Sequence, residues 1–343
     1  MASEQIRVET DLLAARTEAA LAGAGATEPS RQAATRAMMH ASLHGIDSHG
    51  VRLAAHYARM LVGGRLTKDP QLGVKRRGAS AMVDGDDGLG HYASYHAVDT
   101  GIEIARELGI AGVGIRRSSH LGAAGAYALY GAEQGFITFF TTNTDSMVAA
   151  FDGAKRFHGT NPLAFSAPVP GENPWLMDMA TSSIPMNRVL LYRTLGETLP
   201  EGIAADSAGQ PTRDPAAVDM LLPLGGESFG FKGAALAGIA TLLSAVLTDA
   251  TLDPDFIPMI GSTDISTPRN MGHFVIVIDP DKFAGSAVFG ENILRYLTAL
   301  RAAPVRAGGS KVMAPGDREW AVAEERRANG IPIDPETAAY LGF

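Results

Sequence analysis

The chain has no cysteine among its 343 residues. Disulfide frameworks, thiolate metal sites and a cysteine nucleophile are therefore excluded, and a reducing, cytoplasmic setting is the expectation. Charge is sparse: 19% of residues are Asp, Glu, Lys or Arg, and the formal net charge is −8. An acidic chain repels phosphate backbones, and no Lys/Arg cluster interleaves with aromatics, so nucleic acid is not an expected partner. The opening residues, MASEQIRVET, lack the basic-then-apolar order of a secretory signal. The longest uncharged apolar run, Gly233 to Thr248, spans sixteen Gly/Ala-rich residues between Lys232 and Asp249. That is short of the ~20 residues a bilayer span needs, so it reads as a helix buried inside a protein with no membrane partner. No fixed-period repeat occurs, which excludes collagen and solenoid architectures.

What is present is core material. Apolar residues make up 46% of the chain, ample for one large or two modest domains. The first sixty residues read as helix. Thr27-Glu28-Pro29 predicts a helix start with Pro in the first turn, running to about His44. Ser48 is placed to cap a third helix, containing His49, Arg52, His56 and Met60 and ending at Gly63-Gly64. From about residue 80 short β-type runs appear, at 81–83, 112–115, 136–140, 163–165, 175–177 and 274–278. Helical stretches at 92–108 and 122–133 separate the first three, so α/β layers are expected. Residues 195–217, rich in Gly, Pro, Asp and Thr, read as a long surface excursion. After Pro280 the texture is helical again. The expected organisation is a helical N-terminal segment (1–75), an α/β domain (76–284) and a helical C-terminal segment (285–343) that packs back on the first.

On a regular helix His49, Arg52 and His56 would share one face. Imidazole exchanges protons near neutrality, and a guanidinium pairs two-pronged with a carboxylate, a combination suited to a 2-oxo or 2-imino acid. A solvated surface face is the alternative on spacing alone. His40 and His44 have the spacing of helical zinc ligands, but Ala41 stands where a zinc protease needs Glu and no third ligand is evident. No metal site is expected. Ser118-Ser119-His120-Leu121-Gly122-Ala123-Ala124-Gly125 follows a strand-like run and opens a helix, where small residues let backbone N–H groups approach an anion. Close packing of helix on sheet would explain the same residues. No G-x-G-x-x-G occurs, so a Rossmann fingerprint is absent. Gly159-Thr160-Asn161-Pro162 is a turn signal, Asp178-Met179-Ala180 follows an apolar run, and Phe229-Gly230-Phe231-Lys232-Gly233 precedes the Ala-rich run.

In that order, Ser48-His49-Gly50-Val51-Arg52, Ser119 to Ala124, Gly159 to Phe165, Asp178 to Ser182, Leu199-Pro200-Glu201-Gly202, Leu221 to Gly226, Lys232-Gly233 and Pro315-Gly316-Asp317 resemble the type-2 malate/L-lactate dehydrogenase family over nearly the whole chain. The resemblance implies a non-Rossmann α/β fold whose helical domain is discontinuous, drawn from both termini. It also implies an NAD- or NADP-dependent oxidoreductase, a homodimer, acting on a small carboxylate substrate. Carried over by motif, His49 is the proton donor, Ser48 its relay partner and His120 a competitor for the acid/base role. Arg52 would bind the substrate carboxylate with Thr160 beside it. His120, Leu121, Gly122, Ala123, Ala124, Thr144, Asp178, Met179, Ala180, Lys232, Gly233, Gly316, Asp317 and Arg318 would hold the cofactor. Met186 and Asn187 depart from the family pattern near the substrate. That departure bears on the alternative to a 2-oxo acid, a cyclic 2-imino acid such as piperideine-2-carboxylate or pyrroline-2-carboxylate.

Overall fold

The computed structural model describes residues 6–259 and 261–343. The N-terminal part folds as α1 (Thr10–Gly23), α2 (Glu28–Leu43) and α3 (Ala54–Gly63). Thr27 is extended and Pro29 lies in the first turn of α2, as the sequence predicts. The third helix differs from expectation. Between α2 and α3 lie two 3-10 turns, Asp47–His49 and Val51–Leu53, separated by an extended Gly50. The cause is close approach: a Cβ on Gly50 would run into Ser42 Oγ, which accepts the Val51 N–H at 3.0 Å. This tie draws the connection onto α2, and regular helix begins only at Ala54.

A seven-stranded sheet forms the centre. Its strands are β1 (Gly73–Arg77), β2 (Ser80–Asp84), β3 (Ile110–Ser118), β4 (Ile137–Thr142), β5 (Leu163–Ala167), β6 (Trp175–Met179) and β7 (Met271–Ile278). Their spatial order is β1-β2-β3-β7-β4-β5-β6. Only β2 and β3 run parallel, joined by the crossover helix α4 (Gly90–Leu108); every other pair is antiparallel. The alternation in the sequence thus yields one βαβ unit within a mostly antiparallel sheet. β7 arrives from far along the chain and inserts between β3 and β4, pairing Val275 with Val113 and Phe140. Ala97, Val98 and Ile102 of α4, with Tyr127 of α5 (Gly125–Glu133), bury the Val113, Phe140 and Val275 face.

Two segments depart from the sequence reading. In the 195–217 region Leu199, Ala204 and Ala205 are fully buried. Ala204–Ala205 and Met220–Leu221 join Val148–Ala149 and Arg156–His158 in a four-stranded sheet beside α6 (Met186–Leu195). The apolar run near 233–248 is not a buried helix. It belongs to α7 (Gly226–Thr241), which continues to Val246 in a wider turn. Gly230, Gly233, Ala237 and Ala240 face inward, whereas Phe229, Phe231, Leu242, Val246 and Leu247 are each 50–60% exposed. Gly226–Val246 is 21 residues, long and apolar enough to cross a membrane by length and composition, and a third of it is buried.

The remaining helices are α8 (Ser286–Arg301), α9 (Asp317–Asn329) and α10 (Pro335–Leu341). The strand Ile331–Ile333 pairs antiparallel with Ile6–Val8. With Ala338 and Leu341 of α10 it shares a core with Leu13, Leu21, Met38, Tyr57 and Leu61. α8 packs elsewhere, placing Leu297 against Val169 and Trp175. The central core should be the less forgiving of change. Phe140→Ala should cost about 3–5 kcal/mol in urea unfolding, because Phe140 is fully buried between α5 and β7.

Candidate active site

The short linkage between α2 and α3 carries the predicted centre. Ser48 Oγ lies 2.8 Å from His49 Nδ1. The His49 ring is 5.8 Å from that of His120, with planes 22° apart. His120 enters from the loop after β3, and its Nδ1 is 2.7 Å from the hydroxyl of Tyr57 on α3. The Gly122 N–H also points at that nitrogen, at 3.4 Å. Burial raises the Tyr57 pKa, so its hydroxyl stays protonated and donates. With two donors facing Nδ1, neutral His120 carries its proton on Nε2. His49 is under no such constraint, since a serine hydroxyl both donates and accepts.

Burial is the main reason that both imidazoles titrate below the ordinary value; Arg52 adds to the effect at His49, and His49 and His56 at His120. Arg52 follows His49 in the second 3-10 turn and is exposed. Its charge also bears on Asp334, which caps α10 by accepting from the Thr337 N–H at 2.9 Å. His49 and Arg52 therefore share one neighbourhood, through two tight turns rather than one regular helix.

The other expected positions fall into groups. Asp178 on β6 accepts the Gly125 N–H at 2.8 Å at the start of α5, and burial raises its pKa to about 6. The Gly316 turn abuts the same strand, with the Leu176 N–H donating to Pro315 O at 3.4 Å. Segments 120–124, 178–180 and 316–318 thus converge. Asp317 itself is committed to Arg301, at 2.7 and 3.1 Å, and to the Ala314 N–H. A cavity of about 740 Å³, lined in part by Asp317, Trp320, Lys311 and Arg327, opens beside this turn. Thr144 and Thr160 meet directly, the Thr160 N–H donating to Thr144 Oγ1 at 3.0 Å. Met186 packs instead against the small core of Ile184, Val189 and Leu199, and Asn187 is exposed on the first turn of α6. Lys232 lies inside α7, not at its start, with its ammonium over the Phe229 and Phe231 rings. Gly233 is buried against the Leu224 backbone.

The family profile described as malate/L-lactate dehydrogenase matches residues 8–342. The chain belongs to the malate/L-lactate dehydrogenase family. It is an oxidoreductase. Within this malate/L-lactate dehydrogenase family, it is 33% identical over 335 residues to a malate dehydrogenase of Pyrococcus abyssi, covering 96% of this chain and 91% of that one. It is 32% identical to the ureidoglycolate dehydrogenase (NAD(+)) of Escherichia coli K12, covering 89% and 86%. Among solved structures, malate dehydrogenase from Entamoeba histolytica superposes with a TM-score of 0.91 at 27% identity, covering 98% and 96%. The delta1-piperideine-2-carboxylate reductase from Pseudomonas syringae pvar. tomato superposes at 0.84 and 29%, covering 98% of each chain.

The loop after β3 fits the dinucleotide that the family resemblance implies. The buried backbone N–H groups of Leu121, Ala123 and Ala124 have no acceptor among the described residues, and unpaired buried donors await a ligand. Gly122, at φ +74°, turns the chain there at no steric cost.

Several residues escaped the sequence reading. Tyr57 orients His120, and His91 packs edge-on against Tyr57 at 4.6 Å, fully buried with neither ring nitrogen partnered among the described residues. Arg269, almost buried, pairs with Asp145 at 2.7 Å. Burial first, then Arg269, Arg65 and Arg59, push the His56 pKa down to about 4. No spacing signal could have found Arg269, which is over 200 residues from His56. Burial also lowers His91 and His273 to about 3. Their folded-state pKa values lie below the unfolded value, so below pH 6.5 the unfolded chain takes up protons that the folded chain refuses. The melting temperature should therefore fall steadily from pH 7 to pH 4.5. A flat profile would show that these imidazoles are not held neutral.

Proposed function

We propose that the protein transfers a hydride reversibly between nicotinamide and C2 of a small 2-oxo or 2-hydroxy acid. The observation that carries this is the imidazole pair, each ring held at Nδ1 by a hydroxyl, beside the exposed guanidinium of Arg52. The nicotinamide cofactor, NAD or NADP, supplies or accepts the hydride. Arg52 orients the substrate carboxylate, which fixes where C2 sits. His120, with its proton on Nε2, donates a hydrogen bond to the substrate oxygen. His49 exchanges the proton, with Ser48 sharing it at Nδ1. The Ser119–Gly125 loop, Asp178 and the Gly316 turn hold the cofactor.

A neutral His49 is the base for hydroxy-acid oxidation. Because its pKa is lowered, that direction should hold its rate to a lower pH than an ordinary imidazole would allow. His49→Ala should reduce turnover by about 10²–10⁴-fold with cofactor affinity retained. Arg52→Ala should raise the KM for carboxylate substrates by roughly 10–100-fold, the loss of one charge-assisted pairing. Pyruvate, oxaloacetate and piperideine-2-carboxylate, each with NADH and with NADPH, form the deciding panel. The structural neighbour that reduces piperideine-2-carboxylate supports a second reading, reduction of a cyclic imino acid with the same clamp and donor. Absence of absorbance change at 340 nm with every member would refute both.

The homodimer belongs to the same proposal. Its support is the outer face of α7, where Phe229, Phe231, Leu242, Val246 and Leu247 lie open, together with Leu190, Leu191 and Leu195 of α6. An apolar surface of this kind marks an association site. The inner face of α7 is committed to the fold, since the Asn161 amide donates to Ala237 O at 3.2 Å and Thr241 bonds Asp253. That commitment favours association over a membrane span. Leu242→Glu should shift the protein from dimer to monomer in light scattering.

A further inference from the structure

We infer that Asp253, a residue distant from the imidazole pair in sequence and absent from the proposed machinery, is the positioning residue for the two loops that meet substrate and cofactor. Resting on the dehydrogenase reading, this assigns a function to the most densely bonded carboxylate among the described residues. Asp253 is 1% exposed and opens a short 3-10 turn after α7. Its Oδ2 accepts from the Asn161 amide at 2.7 Å, the Thr241 hydroxyl at 3.0 Å and the Gly159 N–H at 3.1 Å. His158 Nδ1 is 3.3 Å from the same oxygen. Its Oδ1 accepts from the Asn143 amide at 2.9 Å and lies 3.2 Å from the Thr241 hydroxyl. Burial opposes ionisation, but these donors prevail and hold the carboxyl below its ordinary pKa.

The donors come from three places. Asn143 immediately precedes Thr144, Gly159 and Asn161 flank Thr160, and Thr241 ends α7. The two loops are then stitched to each other. The Thr144 N–H donates to Asn161 Oδ1 and the Thr160 N–H to Thr144 Oγ1, each at 3.0 Å. Both loops border the catalytic region. Asp145, the next residue after Thr144, holds Arg269, whose charge acts on His120 and His56. The Thr160 carbonyl accepts the Thr181 N–H at 2.9 Å, just past the Asp178–Ala180 segment. One buried carboxylate therefore sets the relative position of Thr144 and Thr160 and fastens both to the helix with the open apolar face.

Asp253→Asn tests this with little change in shape. An amide in place of the carboxylate must turn its NH2 toward one set of donors. Asn143 cannot yield by flipping without giving up its bond to Thr251 O. Wild-type turnover on the 2-oxo acid panel is measured first. If there is none, the dehydrogenase reading fails and takes the positioning role with it. Given wild-type turnover, Asp253→Asn should raise the KM for the 2-oxo acid and the Kd for reduced cofactor about tenfold. Its kcat should stay within about threefold of wild type, and the pH profile set by the imidazoles should not move. Thr241→Val, which removes one donor to Asp253 and one acceptor of the Asn161 amide, should shift KM and Kd the same way by about threefold. A purely structural role would lower the melting temperature and leave KM and Kd of the folded enzyme unchanged, and that result overturns the inference alone. If Asp253→Asn does not fold, Thr241→Val decides: unchanged KM and Kd overturn the proposal.

Discussion

The site depends on one close approach. Because Gly50 has no Cβ, the chain between α2 and α3 can lie against Ser42, whose hydroxyl accepts the Val51 N–H. That contact replaces a turn of regular helix with two 3-10 turns. It presents His49 and Arg52 from the linkage instead of from a helical face. α3 then begins at Ala54 and sets Tyr57 where its hydroxyl reaches His120. A Cβ at position 50 would meet the Ser42 hydroxyl and crowd its Cβ and N at 3.2 Å, so Ser42 would have to turn away and give up the Val51 N–H.

Electrostatics follows from the same packing. Burial is the larger cause of the lowered pKa at His49 and His56, and Arg52 at the first and Arg269, Arg65 and Arg59 at the second add to it. Arg269 and Arg65 are offset by Asp145 and Asp264, which leaves Arg52 as the exposed cation beside His49. An incoming carboxylate offsets that positive field, so binding of substrate itself would make protonation of His49 easier. Under the proposed function, a carboxylate held by Arg52 would couple substrate recognition to proton availability at His49.

Legibility of the fold followed sequence distance. Strands at 81–83, 112–115, 136–140, 163–165, 175–177 and 274–278 were visible as local β-type runs, and each lies in the central sheet. Their order was not, because β7 inserts between β3 and β4 through pairings over 130 residues apart. The buried residues within 195–217 were hidden for a different reason. Leu199, Ala204 and Ala205 are few among turn-forming residues, and they find their core only when the four-stranded sheet assembles. The same split runs through the site. Ser48, His49 and Arg52 sit within one short motif, whereas Tyr57, His91 and Arg269 meet the motif only in three dimensions. The grouping of residues 120–124, 178–180 and 316–318 came from family resemblance, and their convergence in space is independent of it.

α7 shows where composition misleads. Its apolar richness suggested burial, yet richness says nothing about which face is apolar. Small residues, Gly230, Gly233, Ala237 and Ala240, occupy the inward face, because the helix must come close to the Leu224 backbone and the Asn161 turn. Large residues are excluded from that face and crowd the other, where they lie exposed. Close inner packing and an open outer face are therefore one consequence of the same size segregation. Thr241, at the end of that helix, donates to Asp253, which also accepts from Asn143 and Gly159 beside Thr144 and Thr160, so α7 and both turns share one buried carboxylate.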